Sequence, residues 1–482
     1  MGVVRSDTSS TASFIASKTA LSDSEVAETY KFATDPFGRV LVVAVSRARR
    51  WLHVDSSATR LRIEHSCDIR ASTSRADSPL DDVLSVKIED SAVRLARTEF
   101  MMTPVHYGFY QGSFVFATER KHLWALPDCS VSTLRPGQTL IVDGTMAPHT
   151  GDARPRERPQ IDRAVTAAAA IDRLRPLLLA SFERIRGERG AVLFSGGVDS
   201  SLVALLARGV LKQMLLVSCS VPNSQDARVA PVTADALGIP ITTAELSTDV
   251  LWTVLPEVIY AIERWSRMDV EIGLPFFFAS RTASKSGYDL VLSGQGPDEL
   301  FAGYSKHASL LDAKGPEALE SELWDSTMRT PETNIERDEK AIGSGGCDAF
   351  FPYLDRHFVL SSHSLPATMK IRKGPDKERK WILRRLAIEM GLPEEIALRS
   401  KKATQYSSGS SDMLARTVVD NVQVKERPNK KQTGVLIQAV LDRIAAMLGF
   451  PVSPSKSATS VRFDTEPTSS FVETLGVPTH HQ

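Results

Sequence analysis

The chain has 482 residues, too many for one ordinary domain; at about 150 residues per domain it predicts two or three. Hydrophobic residues make up 42% and charged residues 24%, the balance of a folded protein expected to be cytoplasmic. Lys+Arg and Asp+Glu are 58 each, so there is no basic excess and a nucleic-acid partner is disfavoured. Cys67, Cys129, Cys219 and Cys347 lie far apart with no CxxC, which excludes a zinc ribbon and a dense disulfide framework and suits a reducing compartment. No run of 18 apolar residues exists, so no membrane span is expected.

The first 36 residues are rich in Ser, Thr and Ala, and Asp7, Asp23, Glu25 and Glu28 break any signal-peptide core; they read as a flexible extension. Residues 37–146 alternate short β-rich runs with turns. Val40–Val45, Val93–Ala96, Ser113–Ala117 and Gln138–Val142 are the predicted strands, and Arg135-Pro136-Gly137 is a turn signal. Residues 147–160, with Pro, Gly and Arg and no periodicity, read as a linker.

From 161 to 450 the pattern changes. Helical spacing runs over Ile161–Ile185, and the apolar strand Ala191–Phe194 leads through two glycines to a helix over Ser200–Arg208. Strands Met214–Ser220, Ile241–Leu246 and Leu290–Leu292 alternate with helices over Asp226–Leu237, Leu251–Trp265 and Leu274–Ser286. Strand–helix alternation predicts an α/β fold: a parallel sheet with helices on both faces, preceded by the smaller, mostly β region. Residues 451–482 read as a flexible Ser/Thr/Pro tail.

The sharpest chemical signal is Ser195-Gly196-Gly197-Val198-Asp199-Ser200, set between a buried strand and a helix. Five fixed positions match by chance roughly once per million starting points at ordinary residue frequencies. Two glycines allow close backbone approach to an anion, and helix N–H groups then point at it. Asp199 would repel a phosphate but can hold a magnesium ion riding on one. A tight turn with a helix cap explains the glycines but not the aspartate and both serines. The chain has no Gly-Lys dipeptide, hence no GxxxxGK[ST], and the glycines lack GxGxxG spacing. That leaves the PP-loop of enzymes that cleave ATP to AMP.

A second cluster, Ser293-Gly294-Gln295-Gly296-Pro297-Asp298-Glu299-Leu300-Phe301-Ala302-Gly303-Tyr304, follows another strand. Such a turn lies at the carboxyl edge of a parallel sheet, where ligands bind, so Asp298 can face Asp199 and complete a magnesium site. A third cluster, Arg399-Ser400-Lys401-Lys402 and onward to Gly409, lies downstream of Lys380-Trp381-Ile382-Leu383-Arg384. Lysines serve where pyrophosphate departs and charge builds on the α-phosphate.

These segments, with NIERDEK (334–340) and Pro352-Tyr353-Leu354-Asp355, occur in the order of the synthetase domain of asparagine synthetases. The chain resembles that family, which includes the β-lactam synthetases, from about Ile161 to about Leu414. The resemblance implies that Ser195, Gly196, Gly197, Asp199 and Ser200 hold the pyrophosphate portion of ATP and that Asp199 and Asp298 carry Mg2+. It also implies that Lys380 and Lys401 stabilise the pentavalent phosphorus and leaving pyrophosphate, and that Val217 and Gly294 meet the adenosine through their backbones. Arg97-Thr98-Glu99-Phe100, Pro104–Tyr107, Phe116–Lys121 and Leu134–Gly137 resemble the back half of the family's glutaminase domain. That domain needs a thiol at residue 2, where this chain has Gly2, and its glutamine-gripping segment is missing. The region is expected to be a truncated remnant without glutaminase activity.

Three positions depart from the family. Gln295 stands where Glu is usual in asparagine synthetases and Tyr in the β-lactam branch; Asp348 replaces the downstream Glu that partners that Tyr; Phe350 replaces an Arg. Gln295 and Asp348 are candidate catalytic residues. The expected reaction is amide synthesis through an acyl-adenylate, with aspartate or a related carboxylate as acceptor and ammonia as nitrogen source. Amide closure on another carboxylate and a non-catalytic ATP-binding scaffold are the alternatives. Expected partners are ATP and these small molecules, with a separate glutaminase and a homodimer both open, and neither nucleic acid nor membrane.

Overall fold

The computed structural model describes residues 103–110, 113–143, 148–151, 157–372, 378–400, 404–423 and 428–452, short strands before residue 98, and residues 462, 463 and 467. It divides into two compact units. One comprises 157–247 and 271–413; the other joins 1–156, 248–270 and 414–482. The expected continuous stretch 161–450 is therefore shared between them, since two of its segments pack with the N-terminal residues.

The first unit is built on a five-stranded parallel sheet. Its strands are β1 (Arg189–Leu193), β2 (Gln213–Ser220), β3 (Ile241–Glu245), β4 (Leu290–Leu292) and β5 (Asp348–Phe350). Their spatial order is β3-β2-β1-β4-β5, every pairing parallel. Central strands covered on both faces become continuous apolar runs, and Leu290, Val291 and Leu292 are fully buried. Strand β5 had no counterpart in the sequence reading. Three residues are too few to show a period, and pairing with β4 is what defines it.

Helices α1 (Ala167–Glu183), α2 (Val198–Arg208) and α3 (Gln225–Leu237) start and stop where local chemistry dictates. Thr166 accepts from Ala169 N at 3.2 Å and Ser224 from Ala227 N at 3.2 Å, each satisfying an orphan donor of the first turn. Gly238, at φ 63°, closes α3 in the left-handed conformation. The strand order reverses between β1 and β4, and in such sheets a crevice opens there at the carboxyl ends. Both glycine-rich clusters, following Leu193 and Leu292, emerge at that point.

Among the described residues, the other unit holds two six-stranded antiparallel sheets. Strand Gly2–Ser6 pairs with Arg39–Val45 and with Ser113–Ala117, Gly2 lying opposite Val43 and Phe116. Gly2–Ser6 and Glu28–Thr34 thus correct the expectation of a flexible extension over 1–36; residues 7–27 lie outside the described residues. Pro148–Gly151 pairs antiparallel with Thr139–Val142, so the region expected to be a linker begins as a strand. Helices Thr248–Ile262 and Lys430–Met447 belong here too, and Phe450 packs among Trp124, Tyr260 and Trp265 at centroid distances of 4.9, 6.0 and 5.8 Å. Glu263 accepts from the backbone N–H groups of Arg120 and Lys121 at 2.9 Å each, capping the short helix Arg120–Trp124. Most of 451–482 lies outside the described residues, but Phe463 meets Trp252 edge-on at 5.4 Å and lies under the Arg443 guanidinium.

Candidate active site

The turn after β1 is shaped by contact as much as by flexibility. Gly196 has φ +72°, and a Cβ there would lie 2.9 Å from Val229 Cγ1 and 3.0 Å from Thr233 Oγ1. Only glycine fits both the conformation and the space. The Arg399 guanidinium holds this turn from outside, Nη1 donating to Gly196 O at 2.9 Å and to Thr233 Oγ1 at 2.8 Å. Inside the turn, Ser200 Oγ accepts from Ser195 N at 3.3 Å and donates to Gly197 O at 3.3 Å. The start of α2 is thereby presented as a cradle of backbone donors, the geometry of an anion site.

The second cluster closes on the first from β4. A Cβ at Gly294 would sit 3.1 Å from both Asp199 C and Ser200 N, so this glycine lets the two loops touch. Gly296 takes φ 109° and leads into the short helix Pro297–Leu300, which carries Asp298 and Glu299. Glu299 accepts from Tyr304 OH at 2.6 Å and Asn334 Nδ2 at 3.0 Å, and this ties the 334–340 motif to the loop. Burial, with the Glu299 and Asp298 carboxylates nearby, pushes the Tyr304 phenol far above its ordinary range, so it serves as a donor.

Lys380 joins the two clusters. Its ammonium lies 2.6 Å from Asp199 Oδ2 and 2.7 Å from Asp298 Oδ1, with only 2% of the side chain exposed. The residue adopts a left-handed φ of 59°, and its backbone N–H donates to Phe301 O at 3.2 Å. Non-glycine residues rarely take that conformation, and here it sits where three motifs converge. Gly303 makes room for the pair, because a Cβ there would overlap Asp298 Oδ1 and Lys380 Cε. Two carboxylate oxygens converging on one cation are the donor chemistry that Mg2+ favours, so Asp199 and Asp298 fit the metal expected there.

A cavity of about 130 Å³ opens beside these residues, lined by Ser195, Gly197, Asp199 and Ser200 of the first cluster and by Val217, Gly294, Gln295 and Arg399, among others. Gln295 Nε2 donates to Asp338 Oδ2 at 2.6 Å. Asp348 is placed differently. It opens β5 with Leu290 as register partner, at the amino end of the strand, away from the loops that follow β1 and β4, and it does not line this cavity. Lys401 lies outside the described residues.

Three contributors had no assigned role in the sequence reading. Tyr353 is fully buried and donates to the Asp199 backbone carbonyl at 3.0 Å; burial beside Asp199 drives its phenol well above the ordinary value. Its neighbour Asp355 caps the helix Arg356–His363 and pairs with Arg184 at 2.6 Å, so the 352–355 motif is a bracket under the loop. Arg384 donates to the carbonyls of Arg379, Ala397 and Arg399, which couples the Lys380 segment to Arg399. The third, Arg399, is visible in the sequence only as part of a basic cluster.

An open parallel sheet with a glycine-rich turn opening a helix at its reversal point, and a carboxylate–lysine cluster beside it, defines a PP-loop α/β protein. The chain matches the asparagine synthase family over residues 174–321 and 311–448, together more than half of its length, and it belongs to that family. It is similar to a putative glutamine-hydrolyzing asparagine synthetase 1 of Methanocaldococcus jannaschii, 29% identical over 387 residues, covering 70% of this chain and 71% of that protein. The mouse asparagine synthetase domain-containing protein 1 is 36% identical over 154 residues, 29% of this chain and 24% of that protein. A glutamine-hydrolyzing asparagine synthetase of Sandersonia aurantiaca is 31% identical over 235 residues, 45% of this chain and 43% of that protein. No helix among the described residues is long and apolar enough to cross a membrane.

Proposed function

We propose that this chain is an ATP-dependent amide synthetase, forming AMP and pyrophosphate, with aspartate as acceptor and ammonia as nitrogen source. The observation that carries the reading is the meeting of Asp199, Asp298 and Lys380 at 2.6 and 2.7 Å beneath the glycine turn. The aspartate β-carboxylate attacks the α-phosphorus of ATP, the bond to the β-phosphate breaks, and pyrophosphate leaves. Ammonia then attacks the acyl carbon of the β-aspartyl-AMP; the tetrahedral intermediate expels AMP, and the surplus proton passes to solvent. Mg2+, when bound, supplies charge neutralisation on the phosphates, with Asp199 and Asp298 as its protein ligands.

The chain's own contribution is position and charge. Ser195, Gly196, Gly197 and Ser200 orient the pyrophosphate, while Lys380 and, by the family resemblance, Lys401 face the charge that develops as it departs. The Val217 and Gly294 backbones bound the adenosine side. Asp348, at the amino end of β5, takes no step in this scheme. In this reading the nitrogen is free ammonia, taken from solution or handed over by a separate glutaminase where ammonium is scarce.

The test is pyrophosphate release from Mg-ATP and aspartate with ammonium or glutamine, alongside Asp199→Ala. Release and asparagine formation with ammonium alone, lost in the variant, is the expected result. Glutamine use by the pure chain would refute the nitrogen assignment, and no release with aspartate would refute the acceptor.

A further inference from the structure

Lys380 stands at the point where two carboxylates converge. Its Nζ is 2.6 Å from Asp199 Oδ2 and 2.7 Å from Asp298 Oδ1, and its side chain is almost fully buried. The same two carboxylates are the ligands proposed above for Mg2+. One pair of oxygens cannot close on both cations. Mg2+ draws its oxygens in to about 2.0–2.1 Å in an octahedron, whereas an ammonium keeps them at hydrogen-bond length. A divalent ion set beside the buried ammonium would also meet a like charge where water screens it little.

The surroundings fix the Lys380 backbone and leave the stem as the part that can move. Its N–H donates to Phe301 O at 3.2 Å, and its carbonyl accepts from Arg384 N at 2.9 Å. Beyond those anchors runs a flexible four-carbon stem with a compact charge at its end. Asp199 lies in the first turn of the helix that the glycine turn opens, so an ammonium leaving it is already beside that turn. A buried ammonium gives up two carboxylates only for other anionic partners. A bare metal ion brings none, whereas a triphosphate does. We propose that Lys380 holds the metal position until nucleotide arrives, so that the site takes Mg2+ together with ATP and not before it, the ammonium passing from the carboxylates to the phosphates.

This rests on the ATP-dependent reading and its metal ligands. The probe is Mn2+, which shares the oxygen octahedron of Mg2+ and is counted by electron paramagnetic resonance and water-proton relaxation. Full-length wild type, Lys380→Met, and Lys380→Met combined with Asp298→Asn are titrated with Mn2+, first without nucleotide and then with non-hydrolysable α,β-methylene-ATP. Without nucleotide, Lys380→Met should bind Mn2+ about tenfold more tightly than wild type, because the competing charge is gone. Adding Asp298→Asn should abolish that gain. With the nucleotide the order should reverse, wild type binding the Mn2+–nucleotide pair more tightly, since its ammonium then faces the phosphates. Lys380→Gln, which keeps a donor but no charge, replaces Lys380→Met if that protein does not fold.

Equal Mn2+ affinity in wild type and variant without nucleotide would overturn the proposal, and so would an order that does not reverse when nucleotide is added. A gain that survives Asp298→Asn would remove the metal assignment and the proposal with it. If the reversal is seen but wild type releases no pyrophosphate with aspartate, the functional reading falls and the role of Lys380 stands.

Discussion

Lys380 and Asp199 are 181 residues apart in the chain, yet the lysine ammonium lies 2.6 Å from the aspartate carboxylate and is almost fully buried. The pair is held from four directions. Phe301 accepts from the lysine backbone, Tyr353 donates to the aspartate backbone, Gly303 leaves the space, and Asp298 completes the charge at 2.7 Å. A buried ammonium between two carboxylates keeps the site together before any ligand arrives.

Lys380→Met tests that role. Removing the ammonium leaves two carboxylates facing each other without their shared cation, and breaking a buried pair in this way costs about 3–5 kcal/mol. Urea unfolding should show this loss, and millimolar Mg2+ should recover more stability in the variant than in the wild type. Pyrophosphate release should fall by about 10²–10³-fold, the scale of losing one preorganised electrostatic group. A variant as stable as wild type, and indifferent to Mg2+, would contradict this account.

Gly303→Ala is a smaller change with a comparable effect on turnover. Its methyl group overlaps Asp298 Oδ1 and Lys380 Cε, so both side chains must move. Misplacement of about 1 Å at such a site costs on the order of 100-fold in rate. Circular dichroism should show the fold retained while pyrophosphate release drops.

Arg399→Lys separates charge from geometry. Nη1 donates to Gly196 O and Thr233 Oγ1 at once in directions fixed by the guanidinium plane, and a shorter, freely rotating ammonium does not reproduce that reach and direction. The ATP KM should rise about tenfold for the loss of roughly 1.5 kcal/mol of turn-holding hydrogen bonds. ATP titration at fixed Mg2+ measures it, and an unchanged KM would mean that the turn holds its shape alone.

Acid should destabilise the unit that carries the site through its buried histidines. Burial, with Lys306 adding to it, lowers the His307 imidazole from 6.5 to about 4, and burial, with Lys370 next, drives His363 well below its ordinary value. Between those limits the unfolded chain binds protons that the folded chain refuses, so stability falls as pH drops from about 6.5 toward 4. His307→Asn should flatten that slope by roughly 1–2 kcal/mol between pH 7 and pH 5, read from denaturant unfolding at both. An unaltered slope would show that His307 does not control it.

Much of the α/β unit was legible before its structure. The strands β1 to β4 and helices α2 and α3 fall within two residues of where apolar runs and helical spacing place them, because those signals act within one turn or one pleat. The second unit was less legible. Gly2–Ser6 has a weak pattern of its own and becomes a strand by pairing with Arg39–Val45 and Ser113–Ala117. Likewise, nothing in the segments 248–270 and 414–482 says that they pack with the N-terminal residues, since that choice depends on which apolar faces meet.

The same division runs through the site. Sequence alone determined its chemical inventory: a strand–glycine–helix turn with an aspartate and two serines, a second acidic turn after a strand, and lysines far downstream, each a local pattern with its own backbone requirement. Tertiary structure decided which of these meet. The parallel order β3-β2-β1-β4-β5 brings the two turns to one crevice, Lys380 spans them, and Asp348 is left at the amino end of β5. Side-chain pattern is set within a few residues, whereas convergence at 2.6 Å depends on the register of strands that lie far apart in the chain.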